Sequence, residues 1–89
     1  MAKYDPLRTF LETRREPIVK LSFSDIERIL GSAPPKSARH YPAWWSNERS
    51  GTHAHAESWM GAGFHTRQLD LNARTVEFVR SGAASDGRQ

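Results

Sequence analysis

Six short runs of patterned apolar residues set out the chain. Leu7, Phe10 and Leu11 recur at helical spacing behind Asp5-Pro6. Asp5 is the expected N-cap, Pro6 suits the first helical position, and the helix must end before Pro17. Over residues 18–23, Val19, Leu21 and Phe23 alternate with Lys20 and Ser22, the period of a strand. Ser24 and Glu27 fit a capping box for a second helix, with Ile26, Ile29 and Leu30 on its apolar stripe and Gly31 as its stop. Ala56, Trp59, Met60 and Gly63 then follow an i, i+3, i+4, i+7 pattern. This predicts a third helix over residues 52–62, opened by Ser50 or Thr52. Trp59 and Met60 would face inward, His53, Glu57 and Ser58 outward, and Gly63 would be the C′ residue. Residues 64–71 and 75–80 alternate as two strands about a turn at Asn72-Ala73-Arg74. Phe64 and Leu69 differ in parity, so either a bulge lies near Arg67-Gln68 or the strand starts late.

The connection between the second and third helices runs to about twenty residues, where a helix-turn-helix uses three or four. Ser32 to Pro35 reads as a turn, Lys36 to Arg39 as a short helical turn behind Pro35, Ala43-Trp44-Trp45 as extended, and residues 46–51 as loop. Residues 34–55 collect two of the three tryptophans (Trp44, Trp45) and three of the four histidines (His40, His53, His55), together with Lys36, Arg39 and Arg49. Neighbours in an extended segment point to opposite faces. Either both tryptophans pin the connection to the domain, or Trp45 stacks on a base or fills a partner pocket. Asn47 either caps the loop or pairs with an adenine edge.

The chain has 89 residues, enough for one domain that buries roughly 60% of its unfolded surface. We place that domain at residues 1–80, followed by a disordered tail at 81–89 whose composition has no apolar pattern. With no cysteine, a disulfide framework and a thiolate zinc site are excluded. No run approaches the length of a signal-peptide core or a membrane span, which points to a cytoplasmic protein with no membrane association. Thirteen Lys plus Arg against ten Asp plus Glu give a net charge of +3, compatible with an anionic partner. The acids gather early, and between Pro34 and His55 Glu48 alone faces Lys36, Arg39 and Arg49. Those cations, with Arg67 and Arg74, either form an ordinary solvated surface or converge on phosphates.

No nucleophile, P-loop or zinc-protease motif is present, so no enzymatic activity is expected. His53 and His55 would start a helix, where i and i+2 diverge by about 200°. No metal or other cofactor is expected.

The order α-β-α-loop-α-β-β resembles a winged helix-turn-helix, an α+β class of three helices and a small antiparallel sheet in which the first strand joins the hairpin. That resemblance makes residues 52–62 a recognition helix and residues 72–74 the wing tip. A second resemblance rests on Leu-Ser-Phe-Ser-Asp-Ile-Glu-Arg-Ile-Leu-Gly, Ala-Trp-Trp-Ser-Asn and Ala-x-x-Trp-x-x-Ala-Gly-Phe. These runs look like a small bacterial domain family without a settled function, and that likeness transfers no site residue. The expectation is a small protein binding double-stranded DNA in a transcriptional or other regulatory role. Lys36, Ser37, Arg39, Arg49, Arg67 and Arg74 would meet phosphates, and Trp45, Asn47, Ser50 and His53 would meet bases. The alternative is a protein-interaction module docking through the Trp-Trp loop. DNA readers are often two-fold dimers, yet no heptad here demands a homodimer.

Overall fold

The computed structural model describes residues 3–47 and 54–81. The elements are α1 (Asp5–Glu12), β1 (Ile18–Ser22), α2 (Phe23–Leu30), α3 (Ser37–His40), a 3-10 turn (Pro42–Trp45), α4 (Ala54–Gly61), β2 (Phe64–Asp70) and β3 (Thr75–Arg80). The three strands form one antiparallel sheet in the order β1-β3-β2. The first strand therefore joins the hairpin on the side of its second strand, and the architecture is mixed α+β with an open three-stranded antiparallel sheet. Among the described residues no helix is long and apolar enough to cross a membrane. Of the tail expected at residues 81–89, residues 82–89 lie outside the described residues, as do Arg49, Ser50, Thr52 and His53.

The helices cover one face of the sheet. Leu7 and Leu11 of α1, Phe23 and Ile26 of α2, and Ala56 and Trp59 of α4 meet Val19, Leu21, Phe64, Val76 and Phe78 in a single cluster. Cross-strand pairs Val19↔Phe78 and Leu21↔Val76 put those four side chains on the covered face. On β2, Phe64 and Thr66 point the same way. Between Arg67↔Glu77 and Asp70↔Thr75 the register shifts by one residue, and Gln68 adopts φ 50°. Of the two readings that the parity of Phe64 and Leu69 allowed, a bulge or a late start, this is the bulge, and Leu69 packs against the core beyond it.

Local signals were misplaced at two helix starts. The N-cap of α1 is Tyr4, whose carbonyl accepts from Leu7 (3.2 Å) and Arg8 (3.3 Å), with Asp5 and Pro6 already in the first turn. The capping box of α2 uses Ser22 and Asp25, not Ser24 and Glu27. Ser22 Oγ accepts from the Asp25 amide at 3.0 Å, and the Asp25 carboxylate accepts from the Ser22 amide at 3.0 Å. Phe23 is therefore the first residue of α2 and not the last of β1. Its amide still donates to the Arg74 carbonyl (2.8 Å), extending the strand ladder by one bond, while its ring turns into the core. Gly31 ends α2 at φ 79°, a left-handed conformation that glycine adopts without steric cost.

The backbone and side-chain hydrogen bonds from Ser22, followed by the charge of Arg28, hold the Asp25 carboxyl below its ordinary range. A depressed folded-state value stabilises the fold at pH above the unfolded-state value, and the contribution disappears as pH falls through the folded one. Ser22→Ala is expected to shift the Asp25 titration upward in carbon-detected NMR. It should also lower helix stability by about 1 kcal/mol.

Candidate nucleic-acid interface

The connection between α2 and α4 is built from the core outward. Pro42 opens a 3-10 turn, closed by Trp44 N–H to Tyr41 C=O (3.0 Å) and Ser46 N–H to Ala43 C=O (3.1 Å). The segment was expected to be extended. The turn instead sends the two tryptophans to different neighbours, because successive residues in a 3-10 helix are about 120° apart. Trp45 is 3% exposed. Its indole stacks between Phe23 (5.1 Å, 16°) and Trp59 (6.0 Å, 17°), and its Nε1–H donates to the Ala38 carbonyl at 2.8 Å. Trp44 is half-buried and stacks face to face on His55 (3.8 Å, 4°), with Tyr4 edge-on at 6.1 Å. His55 Nε2 lies 2.8 Å from the Trp44 carbonyl, which accepts when the ring carries its proton there. Burial raises the Tyr4 phenol above its usual value. Trp45 is thus part of the core and has no free face for a base.

Asn47 holds the end of this turn. Its Oδ1 accepts from the Thr66 amide (2.9 Å) and the Trp59 indole (3.0 Å), while Nδ2 donates to the Thr66 carbonyl (3.2 Å). The carboxamide stands where the peptide group of a fourth strand would stand, satisfying both backbone groups of Thr66 on the outer edge of β2. Thr66 Oγ1 also lies 2.6 Å from the Trp45 carbonyl. One side chain thereby ties the connection to both β2 and α4 and closes a sheet edge that would otherwise be open to pairing. Reading adenine needs both halves of an Asn amide. Those halves are engaged within the domain, so loop anchoring is the role that the structure gives Asn47.

The cations fall into two groups. Arg39 pairs with Glu27 of α2 at 2.7 Å, and Arg67 pairs across the bulged hairpin with Glu77 at 3.2 Å. Lys36 and Arg74 are exposed and pair with no carboxylate among the described residues. Ser37 is exposed at the start of α3. Arg74 sits at φ 59° on the hairpin turn, where the Asp70 carboxylate accepts from the Asn72 (3.0 Å) and Ala73 (2.9 Å) amides. Helix α2 links the two sites. Its first amide bonds the Arg74 carbonyl, and its Glu27 holds Arg39. On α4, Ala54 and Glu57 face outward. Ser58, expected outward, is 6% exposed and donates to the His55 carbonyl at 2.6 Å. A hydroxyl returned to its own helix lets a small polar residue lie on the buried face.

One exposed side chain was missed from the sequence. Tyr41 is 63% exposed, with His40 edge-on at 6.4 Å, because Pro42 ends α3 just beyond it and directs it outward. Tyr41 immediately before a helix-breaking proline was the available signal. His65 Nδ1 contacts Ser81 Oγ at 2.9 Å. No group of three or more His, Cys, Asp or Glu side chains that could hold a metal occurs among the described residues.

The element order, the β1-β3-β2 sheet and the hairpin after α4 define a small α+β domain. The chain belongs to a domain family of unknown function, DUF7662, whose model matches residues 4–82. Comparison with curated proteins and with solved structures gives no significant match.

Proposed function

We propose that this domain binds duplex DNA through its phosphates, in a regulatory role. The observation that carries the proposal is the hairpin turn: braced by the Asp70 carboxylate, it presents an exposed Arg74 that pairs with no carboxylate among the described residues, beside the N-terminus of α2. Lys36 at the N-cap of α3, and Arg39 within it, extend the cationic surface, and the Arg39–Glu27 pair joins their corner to the same helix. With Trp45 and Asn47 engaged inside, few described side chains remain to read bases. Contacts to phosphate carry no sequence information directly, so binding should be weakly sequence-selective. With about three phosphates neutralised, log K should fall against log salt with a slope near −2.7. Fluorescence anisotropy with a random-sequence duplex at two salt concentrations tests this, and no binding at low salt would sink it. Arg74→Glu is expected to weaken binding by about tenfold or more, since one lost and one repelled contact together exceed about 1.4 kcal/mol.

A second reading, protein docking through the same connection, is favoured by Tyr41 and not by the tryptophans. Tyr41→Ala should abolish such docking and leave phosphate-driven DNA affinity within about threefold, whereas Arg74→Glu should do the reverse.

A further inference from the structure

The end of the sheet away from the hairpin turn holds a second cationic feature. It is built from the α1–β1 connection and the last residue of β3. Arg14 follows the C-cap of α1, with its guanidinium carbon 4.8 Å from the centre of the Phe10 ring. Arg80 ends β3, its guanidinium carbon 4.7 Å from the Phe64 ring. The two are locked together: Arg80 donates a side-chain N–H to the Arg14 carbonyl at 2.6 Å and its backbone N–H to the Pro17 carbonyl at 2.8 Å. Arg15, the next residue in the chain after Arg14, is exposed. Thr13, Arg14, Arg15 and Glu16 line a shallow recess of about 450 Å³.

The charge bookkeeping is unusual. Arg8, Arg28, Arg39 and Arg67 each pair with a carboxylate. Arg14, Arg15 and Arg80 pair with none among the described residues, although Glu16 stands in the same recess. A guanidinium has five N–H donors in a rigid fork that matches an oxyanion. Arg14 uses none of its donors on a described acceptor, and its Nε is buried without a partner. Leaving such a donor unpaired costs free energy, as does holding the like charges of Arg14 and Arg80 at one corner. Ring stacking fixes both forks in advance, so a ligand would not have to order two flexible side chains.

We propose that the Arg14–Arg80 corner is a binding site for a phosphate group. Arg14 and Arg80 supply the forks and Arg15 the additional charge. The same chemistry could come from a free phosphorylated small molecule or from a nucleic-acid backbone.

The test is an NMR titration of the whole chain, following the arginine side-chain N–H resonances. Inorganic phosphate is compared with chloride at matched ionic strength, and a short duplex forms a separate arm. Saturable shifts of Arg14 and Arg80 in phosphate, with a rise in Tm over chloride, are expected. Arg14→Gln and Arg80→Lys should each weaken the phosphate response about tenfold. Arg14→Gln keeps the backbone carbonyl that Arg80 grips, so it decides the matter if Arg80→Lys fails to fold. Shifts that follow ionic strength equally in chloride, or that survive Arg14→Gln unchanged, overturn the proposal. If the duplex moves the same resonances and Arg14→Gln reduces its salt slope by about 1, the source is a nucleic-acid backbone. If phosphate moves them and the duplex does not, the source is a small phosphorylated ligand. The phosphate arm stands independently of duplex binding, so failure of the DNA reading and failure of this site are distinguishable.

Discussion

Trp45→Ala is expected to lower the unfolding free energy by about 3–5 kcal/mol, the range for truncating a buried large aromatic side chain. The residue is 3% exposed and stands between Phe23 and Trp59, two rings contributed by different helices. Its removal opens a cavity between α2 and α4, and the Ala38 carbonyl loses its indole donor. The connection also loses its main apolar anchor, because Trp44 packs on the more exposed side against His55 and Tyr4. A domain of this size has about 5–15 kcal/mol in total, so the variant would sit near the threshold of folding. Each kcal/mol shifts Tm by about 4–8 °C in a domain this small, so the melt should fall by more than about 12 °C. Urea unfolding followed by far-UV circular dichroism measures the loss. A change below about 1 kcal/mol would show that the indole is not part of the core. Trp45→Phe should cost less, since a ring still fills part of the stack.

Asn47→Ala is expected to cost about 2–4 kcal/mol despite the small volume removed. The substitution takes away the acceptor for the Thr66 amide and the Trp59 indole, together with the donor to the Thr66 carbonyl. Partial access to water limits the loss at the β2 edge. At Trp59, whose side chain is fully buried, the orphaned N–H has little relief. The reopened edge should also raise aggregation on concentration. Asn47→Asp separates the parts: it keeps the acceptor and loses the donor, so its cost should fall between wild type and Asn47→Ala. Amide exchange at Thr66 should rise in both variants. Unchanged protection of Thr66 in Asn47→Ala would refute the clasp.

Much of the fold was legible along the chain because the signals were local. Leu7 and Leu11 sit a turn apart and are buried; Val19 and Leu21 alternate and are buried. The bulge could be read because Phe64 and Leu69 cannot share a face of an unbroken strand. The errors came where two local rules competed. Residues 22–25 and 24–27 both carry an N-cap followed three residues later by an acid. The choice fell to Ser22 because Phe23 gains more by stacking on Trp45 inside the core than by extending β1. Residues 43–45, lying between Pro42 and loop-forming residues, read as an extended segment. The proline at position 42 and the space between Phe23 and Trp59 produced a 3-10 turn instead.

The candidate site was less legible than the fold. Composition marked residues 34–55 as an unusual stretch, and it is one: an oversized connection fastened by Trp45 and Asn47. Composition does not distinguish a side chain that fastens from one that contacts. Arg39 and Arg67 have partners 12 and 10 residues away in the chain, while the corner of Arg14 and Arg80 joins residues 66 apart. Residue type alone marks them all equally as cations.

From sequence alone came the order of elements, the helical and strand periods, the parity break in the second strand and the turn at residues 72–74. Each depends on residues within a few positions of one another, where propensity and patterning act. Tertiary structure alone decided the fate of the Trp-Trp-Ser-Asn run. It placed Trp45 between two helices and set the Asn47 amide against Thr66, 19 residues away. The reason is that burial and hydrogen-bond satisfaction belong to the assembled core. An indole or a carboxamide becomes structural only when the surfaces that enclose it have come together.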